Sequence, residues 1–173
     1  ARAGYNEAKR TCEALCQSYR KQYGVDFVTV RIARVFGADR KKDTRAMTQF
    51  MNRAVAGEDV ILKSRGAQRY SYCYIADCVS GVIKALLDGA CGEVYNLSDE
   101  DEGTTLAGYA EQIARLAGRN VVYQIEAEES ASKATHALMN TEKLKGLGWK
   151  PLYSVSEGLE RTYRIYMGRG GRR

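Results

Sequence analysis

"VDFVTVRIARVFG", residues 25–37, is β-branched and largely apolar along its whole length. A run of that kind predicts one strand buried on both faces, as in a parallel sheet covered by helices. Immediately upstream, Ala8, Cys12, Leu15, Cys16 and Tyr19 recur at helical spacing, so residues 5–23 read as a helix that Gly24 stops. A helix feeding a buried strand through one glycine is the joint of an α/β layer structure.

The same alternation continues outward. A polar stretch, "ADRKKDTR", leads into a helix near 44–56 carrying Met47, Phe50, Met51 and Ala54, ended by Gly57. Residues 59–64 and 68–75 read as strands, and Asp77 caps or opens the helix "CVSGVIKALLDG". Residues 92–98 form another strand. Thr104 or Thr105 then caps an amphipathic helix closed by Gly118, with a further strand expected over 120–126. Two helices, about 140–147 and 155–167, complete the chain, with Trp149 and Pro151 as packing and turn residues between them.

Composition narrows the function classes. With 45% hydrophobic residues in 173, the chain can bury a sizeable core. No apolar run reaches the roughly 20 residues of a membrane span, so no membrane partner is expected. The formal charge is +6, but three of those charges lie in the terminal "GRGGRR", which leaves little basis for nucleic-acid binding. The five cysteines, Cys12, Cys16, Cys73, Cys78 and Cys91, fit reduced thiols in a cytoplasmic protein better than a disulfide framework. Cys12 and Cys16 are four apart on a helix, but no second Cys/His pair has ligand spacing and His136 is the only histidine, so no metal is expected.

Tyr5 and Lys9 lie one helical turn apart. A free phenol titrates near about 10 and is a poor base at neutral pH, but a lysine ammonium one turn away favours the phenolate. Such a pair can take a proton from a sugar or alcohol hydroxyl while a nicotinamide accepts hydride from the same carbon. By itself the spacing is weak evidence, because two-residue motifs arise by chance. A glycine-rich turn between a strand and a helix, the usual phosphate cradle, is missing from the 173 residues. The pyrophosphate site of any dinucleotide is therefore expected outside this chain.

Five ordered stretches strengthen the reading: "GYNEAKRTCEAL", "VTVRIARVFGADR", "YSYCYIADCVSGVIKAL", "GEVYNLSD" and "LGWKPLYSVSEGLERT". Together, over about residues 4–167, they resemble the C-terminal half of the extended short-chain dehydrogenases/reductases, the superfamily of NAD-dependent nucleotide-sugar epimerases and dehydratases. The resemblance implies a Rossmann-like α/β fold with an α/β substrate-binding region and without its N-terminal glycine-rich half. Residues 1–40 would close the cofactor domain, 41–167 would form the substrate-binding region interleaved with the remaining sheet, and 168–173 would be a disordered basic tail. It further implies a nucleotide-sugar substrate, NAD (with NADP not excluded) and a homodimer of the intact parent, in which the Tyr/Lys helix often lies at the interface. The 173 residues alone would have little activity. The alternative is a binding member of the superfamily without catalysis.

Site residues carry over by position. Tyr5 corresponds to the catalytic acid/base and Lys9 to its partner, both also touching the cofactor. Ile32–Gly37 resembles the family's R-x-F-N-x-x-G turn, where backbone approaches the nicotinamide and the asparagine contacts substrate; Ala33 and Arg34 are set on those two positions. Arg34 there either grips a substrate phosphate or makes a surface ion pair. The family's diphosphate-binding arginine falls at Tyr70, with Arg69 beside it. Either Arg69 reaches the site by a shifted register, or Tyr70 stacks or hydrogen-bonds in its stead, or Tyr70 is simply a sheet tyrosine. The family's arginine-glycine-aspartate element has no clear counterpart, Lys133 being the nearest cation. For Asp77, helix capping outweighs catalysis.

Overall fold

Ala33 is where the expected single strand becomes two. In the computed structural model, which describes residues 2–39, 45–99, 104–125 and 136–170, the run splits into β1 (Thr29–Ile32) and β2 (Arg34–Phe36). β1 pairs in parallel with β6 (Val94–Leu97), from Thr29 opposite Val94 to Ile32 opposite Leu97. β2 pairs in parallel with β5 (Tyr72–Tyr74), from Arg34 opposite Tyr72 to Phe36 opposite Tyr74. The partner changes within one peptide: Ala33 N–H donates to Leu97 O at 2.9 Å, and Arg34 N–H donates to Ser71 O at 3.2 Å. In open α/β sheets, ligands bind outside the carboxyl ends of the strands.

The burial expected on both faces of 25–37 is present on one. Val28 and Val30 pack against a cluster that includes Cys73, Ala85, Tyr95, Leu97 and Trp149, while Ile32 stays 46% exposed. The first face is covered by α3 (Ile75–Asp88), whose Gly81 lies so close to β6 that an added Cβ would overlap Leu97. Trp149 is buried as expected, and its Nε1–H donates to Ser80 Oγ at 3.0 Å.

The larger core gathers on the other side of β2 and β5. There α2 (Ala46–Val55), β3 (Val60–Leu62), α4 (Leu106–Leu116) and α6 (Val155–Gly170) pack Phe50, Met51, Tyr109, Ile113 and Leu159 together. Thr105 caps α4, accepting from Gly108 N–H at 3.1 Å. Ser154 and Glu157 form a reciprocal capping box on α6: Ser154 N–H donates to Glu157 Oε2 at 2.8 Å, and Glu157 N–H donates to Ser154 Oγ at 3.2 Å.

Other differences from the sequence reading are local. α1 starts at Arg2 rather than 5 and ends at Tyr23, followed by Gly24 at φ +67°. α5 (Glu142–Lys145) is shorter than 140–147, and α6 continues past 167 to Gly170. The stretch 68–75 holds both β4 (Arg69–Tyr70) and β5, and β4 pairs in parallel with β8 (His136–Ala137). Two residues are too few for β8 to show a period. β7 (Val121–Tyr123) pairs with β3. Asp77 does not cap α3: the cap position is Tyr74, and Asp77 sits inside the first turn, fully buried, its Oδ1 accepting from Leu152 N–H at 2.6 Å. It is a tie between α3 and the turn before α6.

Candidate functional site

α1 brings Tyr5, Lys9 and Glu13 to one side of the helix by their spacing of four residues. Between this side and β1 lies an open groove of about 600 Å³, with Tyr5, Lys9 and Cys12 on the helix and Thr29 to Ile32 on the strand. The Lys9 ammonium lies 5.6 Å from the centre of the Tyr5 ring, within cation–π reach. Tyr5 is 65% exposed, so its hydroxyl is open to an incoming group. The groove runs to Ile32, next to the Ala33 crossover, so the pair stands at the carboxyl end of β1.

Below Lys9 the groove is lined by an ion pair that the sequence reading did not single out. Arg31 donates through Nε to Glu13 Oε1 at 2.8 Å and through Nη2 to Glu13 Oε2 at 2.6 Å. The hydrogen bond from Arg31, aided by its charge, holds the Glu13 carboxyl below the usual range, and Glu13 in turn raises Arg31. A signal existed: Arg31 is the one charged residue in "VTVRI", and Glu13 continues the Tyr5–Lys9 column.

Of the expected substrate residues, the structure joins two and separates the third. The Arg34 guanidinium lies 3.5 Å over the Tyr70 ring, a stacked pair across β2 and β4. Arg34 also stands opposite Tyr72. Burial pushes the Tyr72 hydroxyl up, and the Arg34 charge opposes that shift. Arg69 precedes Tyr70 in the same strand, so its side chain leaves from the other face, beside His136 and Thr105. Lys133 lies outside the described residues.

Arg34 and Phe36 stand two apart on β2, with Phe36 buried in the larger core. A Cβ at Gly37 would come within 2.6 Å of Ile75 Cγ2, at the start of α3. Ala33 remains at the crossover with its backbone bonded to Leu97.

Among the described residues no group of three or more His, Cys, Asp or Glu side chains converges as a metal site. Cys12 is exposed and Cys16 half-buried on α1, while Cys73 and Cys78 are buried. Burial and the nearby Asp99 carboxylate push the Cys73 thiol far up. No helix among the described residues is long and apolar enough to cross a membrane.

Comparison with known proteins places these features in context. Residues 1–98 match the family model described as the NAD dependent epimerase/dehydratase family. UDP-glucuronic acid decarboxylase 1 of Danio rerio is 29% identical over 168 residues, covering 95% of this chain and 39% of that protein. The dTDP-D-glucose 4,6-dehydratase of Bos taurus is 25% identical over 167 residues, 94% of this chain and 47% of the other. UDP-glucose 4-epimerase of Thermotoga maritima, solved with UDP-glucose, superposes with a TM-score of 0.81 at 25% identity, over 96% of this chain and 53% of the other. The dTDP-glucose 4,6-dehydratase of Bacillus anthracis, solved with NAD, shares the fold at TM-score 0.81 and 22% identity, over 97% and 53%. The chain thus spans about half the length of these relatives or less.

Proposed function

The chain belongs to the NAD-dependent epimerase/dehydratase family, and we propose that it carries the acid/base half of a nucleotide-sugar-modifying site. Tyr5 exchanges a proton with a sugar hydroxyl, and Lys9 holds its ammonium charge beside the phenol and reaches the cofactor ribose. The observation that carries this reading is the placement of both groups in one open groove ending at the β1 crossover. A groove of about 600 Å³ edged by a phenol and an ammonium fits the nicotinamide-ribose end of NAD. NAD, when bound, supplies the hydride acceptor for the sugar carbon. Tyr5, Lys9 and the Ala33 backbone are the residues of this chain that would line it.

Arg34, held flat on Tyr70, is the cation proposed for the nucleotide phosphates. Arg69, on the opposite face of β4, is left out of that group. The intact protein would then epimerise, dehydrate, decarboxylate or reduce the keto sugar, and a homodimer of it would form over α1.

The test uses the full-length polypeptide with bound NAD, offered UDP-glucuronic acid, UDP-glucose and dTDP-glucose in turn, with NADH absorbance as the readout. One of these sugars should reduce the cofactor, and Tyr5→Phe should slow that step by about 10²–10⁴-fold with the fold retained. A near-normal rate for Tyr5→Phe overturns the reading. Tight binding of all three sugars with neither NADH nor an altered sugar would favour a binding role, the alternative that Arg34 and Tyr70 support by departing from the family pattern.

A further inference from the structure

We infer that the Glu13–Arg31 ion pair sets the pose of α1 and keeps Lys9 directed at Tyr5, making both of its members positioning residues of the site. The inference rests on the proposed roles of Tyr5 and Lys9. It begins from how weakly apolar contacts hold the helix that carries them. No α1 residue belongs to either apolar core cluster among the described residues. Leu15, Tyr19 and Tyr23 on this helix are 50–63% exposed.

Polar contacts take over that task. Apart from Glu13–Arg31, the described side-chain hydrogen bond linking α1 to the rest of the chain is Gln17 Nε2–H to Gly92 O, in the turn before β6, at 2.8 Å. Gln17 lies one turn beyond Glu13, so the two contacts pin the helix along a single line and leave the turn with Tyr5 and Lys9 free. Of the two, only the Arg31 contact is bidentate, and a planar fork on a carboxylate fixes rotation as well as distance. Arg31 is also placed for it. Val28 and Val30 face the α3 side, so strand alternation turns Thr29 and Arg31 toward α1. An exposed ion pair adds little to global stability, so its consequence is expected in the pose of α1 and not in the folding of the core.

The pair has a second effect through charge. Both Glu13 oxygens are engaged by Arg31. Lys9 is one turn from Glu13, the spacing at which lysine and glutamate attract. With Arg31 in place the carboxylate is already satisfied, and the Lys9 ammonium lies over Tyr5. Without Arg31, a free carboxylate one turn away would draw Lys9 off the phenol. Removing Arg31 therefore does more harm than removing Glu13, an asymmetry that a purely mechanical strut does not produce.

The experiment compares Arg31→Met, Glu13→Gln and the double variant in the full-length polypeptide, with Tyr5→Phe as control. Arg31→Met should slow the NADH transient on the enzyme about ten-fold with the half-saturating nucleotide-sugar concentration nearly unchanged, and Glu13→Gln about three-fold. The double variant should recover to the Glu13→Gln level. Independently of activity, hydrogen–deuterium exchange should speed up in α1 in all three variants while α2 and α4 stay as in the wild type. A double variant no faster than Arg31→Met overturns the Lys9 effect, and unchanged α1 exchange overturns the pose effect. If Tyr5→Phe is inactive while the clamp variants match the wild type, only this inference falls. If Tyr5→Phe itself is fully active, the proposed function falls, and the exchange data still decide whether the pair holds α1.

Discussion

α4 and α1 read alike in the sequence, each an amphipathic helix stopped by glycine, yet they end in opposite situations. On the α4 side, Tyr109, Ile113 and Leu159 of α6 are at most 1% exposed, closed in by α2 and β3. On the α1 side, and on the outer face of α3, Leu15, Tyr23, Val79, Ile83 and Leu86 are half or more exposed. Periodicity specifies that a helix has an apolar face; it does not specify what that face meets. The α4 side is held by packing, and the α1 side by a few directed polar contacts. The chemistry we propose lies on the second.

The largest test of this contrast is a pair of truncations. Ile113→Ala should cost about 2–5 kcal/mol in urea denaturation, because it opens a cavity in a closed core. Leu15→Ala on α1 should stay within about 0.5 kcal/mol, since its side chain is largely in solvent. Equal costs would erase the distinction between the two sides.

A smaller effect is expected from pH. Glu13 has its carboxyl lowered by Arg31, so its contribution is present above the unfolded value and is lost as pH falls through the lower folded value. The Glu157 carboxyl is likewise lowered by bonds from Ser154. Acidification below the usual carboxylate range should therefore loosen α1 and the first turn of α6 before α4, as amide exchange would register. Release of α4 first would contradict the assignment of polar anchoring to α1.

The mildest test is chemical. Cys12, exposed on α1, should react promptly with a thiol reagent. Cys73, buried and with its thiol pushed up by burial and by Asp99, should stay unlabelled until the core unfolds. Mass spectrometry of labelled peptides separates the two, and comparable rates would mean that the sheet opens as readily as the α1 surface.

Much of the architecture was legible because its causes are local. Gly24, Gly57 and Gly118 adopt positive φ where helices were expected to stop, and Thr105 caps α4 through a bond three residues away. What escaped the sequence reading is non-local. The Asp77 carboxylate suits a cap by residue type, but its partner is Leu152. Arg69 and Tyr70 are neighbours in sequence and therefore leave the strand on opposite faces. The split at Ala33 is invisible within "VRIARVF", since it arises from two different strands competing for one run of backbone.

The sequence by itself determined the α/β alternation, the helix stops and the Tyr5–Lys9 spacing, because each depends on dihedral preference or helical pitch within a few residues. The tertiary structure alone decided that Arg34 stacks on Tyr70, that Gly37 lies against Ile75, and that Arg31 holds Glu13 beneath Lys9. Those outcomes depend on the distance between segments far apart in the chain, which packing and strand pairing set and no local pattern encodes.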